Sequence, residues 1–169
     1  MKSRRHLQKL ILCAAFAALT TLATLVIQVP SPLSGFMNLG DALVLTSAAL
    51  LGPIYGTAAA GIGSCLADIL SGYAVYAPAT FVIKSLMALA LCLLLRLICR
   101  PRILACLLGG LVAESIMVLG YFAYDAFCLG FGLGAAVGIP ANLVQAALGL
   151  VIAMFLIPLL KKIPYISEL

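Results

Sequence analysis

Lys84 lies inside the apolar stretch TFVIKSLMALALCLLLRL, with no charged neighbour until Arg96. An ammonium group buried in hydrocarbon is expensive, so by default it marks a site with an anionic partner or a ligand. Asp41, Asp68 and Glu114 are the carboxylates set in similarly apolar surroundings. Asn38, Asn142 and Gln145 add amides, and Tyr73, Tyr76, Tyr121 and Tyr124 add phenols. Such a set recognises a small heteroaromatic ring bearing hydroxyls or an amino group: aromatic faces stack on the ring, and amides and ions read its edge.

Catalysis is poorly served by the same inventory. The single histidine, His6, lies among the N-terminal basic residues, which sets aside a serine–histidine protease. Asp41, Asp68 and Asp125 are too dispersed for the clustered aspartates of a metal-dependent lipid phosphotransferase. The six cysteines, Cys13, Cys65, Cys92, Cys99, Cys106 and Cys128, form no CxxC pair and read as small hydrophobes. No metal or cofactor is expected.

The elements that carry these residues must cross a membrane. The 169-residue chain is 65% hydrophobic and 9% charged, with a mean hydropathy of +1.26, beyond what a water-soluble domain of this size supports. The net charge of +5 is not spread as in a nucleic-acid binder. Apart from Lys84, the basic residues fall in three clusters: Lys2, Arg4, Arg5 and Lys9; Arg96, Arg100 and Arg102; Lys161 and Lys162. Lys and Arg flanking spans stay on the cytoplasmic side, so the clusters orient the chain with both termini inside. The basic start and the apolar run after it resemble a signal peptide. That run is too long for one, and Leu12 precedes Cys13, so we read a retained first span.

Six spans follow: Leu7 to Val29, a short second run from Ala42 to Leu51, Ile54 to Ser71, Thr80 to Ile98, Ile103 to about Phe127, and Pro140 to Leu160. A helix needs about 20 residues to cross, so the second run cannot do so unless the preceding loop dips into the protein. Gly52-Pro53 is the turn after it. Four spans plus a re-entrant hairpin over residues 39–72 would give the same orientation. The whole chain, 1–169, reads as one all-α integral membrane domain. The loops around 30–40, 72–79 and 128–138 carry no Lys or Arg and face outward.

Depth follows from direction. Lys84 lies roughly 9 Å below the outer end of its span, and Glu114 roughly 18 Å from the cytoplasmic arginines. Asp41, Asp68, Asn142, Gln145 and the tyrosines also fall in the outer half, which describes a cup open to the outside rather than a pore. Each residue has a plainer reading. Asp41 follows Gly40 and reads equally as a helix N-cap. Asp68 and Lys84 could neutralise each other as a structural pair. Glu114 would pair with Lys84 or a ligand, Asn142 and Gln145 could be interhelical glue, and the tyrosines an interfacial belt. Small residues mark packing faces: Ala14 and Ala18, continued by Thr21, in the first span, and Gly56, Ala60, Gly63 and Ala67 in the third.

The stretch Gly35 to Leu89, with NLGD, the Gly-Pro-Ile-Tyr-Gly turn and GYAVYAPATFVIK, resembles the substrate-binding S components of energy-coupling factor (ECF) vitamin transporters. The likeness is greatest to the subgroup for hydroxymethylpyrimidine, pyridoxine or riboflavin-type substrates. The resemblance implies six helices with an extracellular lid loop, in a bacterial plasma membrane. It also implies a vitamin bound from outside, and docking on a transmembrane coupling (T) component driven by two cytoplasmic ATPases. By resemblance Asn38 and Asp41 belong to the lid loop, Tyr73 and Lys84 to the pocket, and the Ala14-xxx-Ala18 pair to the docking face. Glu114 and Asn142 rest on depth alone. No GxxxxGK[ST] is present, as expected for a subunit without its own nucleotide site. The alternatives are a stand-alone secondary transporter of a small polar solute and an intramembrane lipid-modifying enzyme.

Overall fold

A computed structural model describes residues 2–30, 35–98 and 101–167. Ser31, Pro32 and Ser34 of the first loop, Cys99 and Arg100 lie outside the described residues. The chain is helical almost throughout: α1 (Lys2–Val26), α2 (Gly40–Leu70), α3 (Ala77–Leu97), α4 (Arg102–Ala123), α5 (Ile139–Leu160) and a short α6 (Pro164–Ser167). Two tiny strands, β1 (Val29–Pro30) and β2 (Phe36–Met37), pair antiparallel between α1 and α2. Five helical segments are long and apolar enough to cross a membrane: Arg5–Val26, Gly40–Leu70, Ala77–Leu97, Arg102–Cys128 and Gly132–Leu160.

The second of these is bent back on itself. Gly52 has φ +79° and ψ −172°, a conformation open to glycine and strained for other residues, and Pro53 cannot donate the helical hydrogen bond that would bridge the break. A Cβ built on Gly56 would stand 2.7 Å from the Ala48 Cα, although eight helical residues would separate these positions by about 12 Å. The expected second and third runs are therefore two arms of one broken helix. The first arm rises only about 18 Å and the second about 27 Å, so the first begins well inside the fold. Gly40, the first residue of α2, is buried, and Asn38 just before the helix is half-buried.

Elsewhere the boundaries shift modestly. The first helix begins at Lys2 and ends at Val26, and α4 runs on through a π-helical turn, Tyr124–Cys128. The expected loop at 128–138 is largely a 3-10 helix, Gly132–Gly138.

Packing is by small residues. Helix α2 touches α1, α3 and α5, and α4 closes the ring between α3 and α5. The core between them is built around Val44, Leu45, Ala48, Met87, Leu91, Ala113, Met117 and Ala153. The groove of Gly56, Ala60, Gly63 and Ala67 is buried inside the protein. Gly63 lies against Ala17 and Thr20 of α1, where the Thr21 hydroxyl also donates to the Gly63 carbonyl at 2.8 Å. Thr21 thus belongs to the inner face of α1, whereas Ala14 and Ala18 are on its exposed face. His6 Nδ1 lies 2.9 Å from the Tyr55 hydroxyl, which brings the start of α1 beside the α2 break. Arg102 and Lys161 line one cleft. The β1–β2 hairpin lies at the other end of α1.

Candidate binding site

Beneath the hairpin, at the start of α2, four side chains settle how Lys84 is neutralised. Its ammonium pairs with Asp41 Oδ1, with Asp41 fully buried and Lys84 2% exposed. Asp41 Oδ2 accepts from Gln145 Nε2 at 2.7 Å, and Gln145 Oε1 accepts from the Asn38 backbone amide at 2.9 Å. Asn38 Oδ1 in turn accepts from the Gly40 amide at 2.8 Å. The chain of contacts ties α2, α3, α5 and the end of the hairpin into one network. Lys84 and Asp41 are thus each met by an opposite charge, and Asp41 by an amide as well, the condition for tolerating charge away from water.

Three expectations change here. The partner of Lys84 is Asp41, not Asp68. Asp41 is not a cap, because Leu39 holds that position and the side chain bonding the first-turn amide is that of Asn38. Asp41 also lies on a helix rather than in the loop with which the resemblance grouped it.

Above the pair is a pocket lined by Gly35, Phe36, Asn38, Asp68, Tyr73, Tyr76, Thr80, Tyr121, Asp125, Gly138, Asn142 and Gln145. Of the ten expected substrate contacts, seven share this lining; Asp41 and Lys84 are outside it and join it through Gln145 and Tyr121. The Tyr121 ring spans both levels, with the Lys84 ammonium 5.4 Å from its centroid and its hydroxyl 3.0 Å from Thr80 Oγ1. The Tyr76 hydroxyl donates to Asp125 Oδ1 at 2.7 Å, and Phe36 meets Tyr73 edge to face at 5.1 Å between centroids. Asp68 is buried; the Thr80 side chain meets its carboxylate, while its Oδ2 has no hydrogen-bond partner among the described residues. A buried carboxylate oxygen without a donor is costly unless a ligand or water supplies one.

Glu114 is placed differently. It is 4% exposed and neither of its carboxyl oxygens has a hydrogen-bond partner among the described residues, although the charges of Asp41 and Lys84 act on it. A Cβ on Gly149 would stand 2.8 Å from the Asp41 Cβ and 3.1 Å from Glu114 Oε1, so the two acidic side chains flank one point. Glu114 lines a separate cleft of about 440 Å³ between α4 and α5, walled by Leu111, Val118, Leu143 and Leu150 among others.

Sequence reading overlooked Phe36 and Thr80 as lining residues and left Asp125 at the rim. Thr80 was legible one turn before Lys84, and Asp125 one turn after Tyr121. Phe36 had no signal beyond its proximity to Asn38.

The profile of the ECF-type riboflavin transporter, S component, matches residues 5–162. The chain belongs to this S-component family. It is a membrane substrate-binding subunit of the vitamin-transporter type, and the family is one of transporter components rather than enzymes. A chain from Pyrococcus woesei described as "Uncharacterized protein in gap 3'region" is 35% identical over 144 residues, covering 84% of this chain and 94% of that one.

Proposed function

We propose that this S component takes a small heteroaromatic vitamin or precursor, of the pyridoxine or hydroxymethylpyrimidine class, into the pocket under the hairpin. The observation that carries the reading is Asp68: a buried carboxylate oxygen without a donor, in a wall shared with Tyr73, Tyr76 and Tyr121. A ring bearing N–H or O–H groups supplies that donor while its faces rest on the phenols. Asn142 and Gln145 read further edges. Lys84 and Asp41 act beneath as a fixed, neutral base, because each satisfies the other. The pocket has about 50 Å³ of room for water-sized centres, space for a few waters. Even a single ring therefore requires the hairpin, with Phe36 and Asn38, to lift; it serves as the lid.

The second reading is riboflavin, favoured by the family profile. Its three fused rings demand a larger displacement of residues 35–38.

The remainder of the transporter follows from the same reading. The basic clusters support cytoplasmic termini and an outward-facing pocket, with the two arms of α2 counted as two crossings. The exposed Ala14 and Ala18 support docking of α1 on a coupling component driven by two ATPases.

Equilibrium binding of the purified protein to pyridoxine, hydroxymethylpyrimidine and riboflavin tests the assignment. The chain has no Trp and six Tyr, three of them in the pocket wall, so quenching of tyrosine emission reports occupancy. Saturable one-to-one binding of a single-ring vitamin is expected. Binding of riboflavin alone transfers the assignment to the second reading, and failure of all three removes both.

A further inference from the structure

Far from this pocket, Arg102 near the start of α4 and Lys161 just beyond the end of α5 stand at one cleft. Its remaining walls are Ile103, Cys106, Met154, Ile157 and Pro158, and its volume is about 150 Å³. No carboxylate among the described residues bridges to either cation; the ion pair among those residues, Lys84 with Asp41, lies elsewhere in the fold. Burial first, and the Arg102 charge second, push the Lys161 ammonium below its ordinary value. Two cations thus share one largely apolar cleft with no carboxylate partner among the described residues. The first turn of α4, capped by Pro101 with no side-chain bond, leaves its amide N–H groups open at the same end.

Charge and shape together identify what would fill it. A phosphodiester places a negative charge between the two cations, and an apolar chain covers the floor. The cleft lies at the helix ends, where apolar span gives way to basic residues and lipid phosphates reside. We propose that it binds one anionic phospholipid, with the phosphate between Arg102 and Lys161 and an acyl chain running over the exposed Ile103 towards Met154 and Ile157. A protein carboxylate would supply the same single charge but leave the apolar floor open. The proposal is independent of which vitamin is bound.

The test titrates delipidated protein in neutral detergent with phosphatidylglycerol, phosphatidylcholine and inorganic phosphate in turn, counting bound lipid by native mass spectrometry and following Tm. One phosphatidylglycerol should be retained per chain and raise Tm, with phosphatidylcholine and phosphate ineffective. Arg102→Gln with Lys161→Gln should weaken retention roughly thirtyfold, the loss of two interfacial cations, with helical circular dichroism unchanged. Should that variant fail to fold, Ile103→Trp, which fills the floor with both cations intact, must also displace the lipid. Equal retention of the two lipids, full retention by either folded variant, or an equal response to phosphate alone would overturn the proposal.

Discussion

The residue whose surroundings are most exacting is Lys84. Its charge is met by Asp41, and Asp41 by Gln145, so removing one member leaves another stranded rather than simply absent. Lys84→Ala should destabilise the protein by about 3–5 kcal/mol, the range for breaking a buried pair. Lys84→Met combined with Asp41→Asn should recover most of that loss, since no charge is then left behind. Denaturant unfolding in detergent distinguishes the two; equal destabilisation by the single and double variants would show that the ammonium serves something other than Asp41. That Lys84 marks the site was legible from its apolar neighbours. Its partner was not, because Asp41 and Asp68 lie at comparable depth, and the fold-back at Gly52 determines which one reaches it. Glu114 had the right depth but faces another cleft, a matter of helix rotation that residue counting from a span end does not capture.

At the scale of elements, α1 separates two kinds of small residue. Ala17 and Thr20 meet Gly63 of α2, whereas Ala14 and Ala18 are exposed one turn apart. Ala14→Leu with Ala18→Leu should therefore abolish co-purification with a coupling component and its ATPases while leaving vitamin binding and Tm near wild type. Ala17→Leu should instead lower Tm, because the α1–α2 backbones approach too closely for a larger side chain. Loss of vitamin binding in the Ala14/Ala18 variant would place that face inside the fold. The helices themselves were legible from apolar runs bounded by Pro, Gly and basic residues. The 3-10 turn over Gly132–Gly138 was not, since a glycine-rich stretch has no periodicity to read. Nor was the β1–β2 pairing, which joins strands of two residues each.

For the whole molecule, polarity was the most legible property. Basic residues gather near one set of helix ends, and the described carboxylates other than Glu114 lie towards the other. Cysteine labelling on a cysteine-free background should modify Leu133→Cys, 89% exposed, from outside and leave Tyr165→Cys unmodified until the membrane is opened. External labelling at position 165 would reverse the orientation and turn the pocket towards the cytoplasm. The break between the short second run and the third was legible at Gly52-Pro53, where the backbone leaves helical geometry.

Asp68 is the pocket side chain that has, among the described residues, a buried oxygen met by no donor. The decisive measurement is vitamin affinity of Asp68→Asn beside wild type, by tyrosine quenching, with Tm taken on the same samples. The amide keeps the size and one acceptor but loses the charge, so the Kd should rise roughly tenfold or more, the worth of a charge-assisted hydrogen bond, with Tm equal or higher. An unchanged Kd in a folded Asp68→Asn protein would contradict the account and move the vitamin elsewhere, with the cleft beside Glu114 next in line.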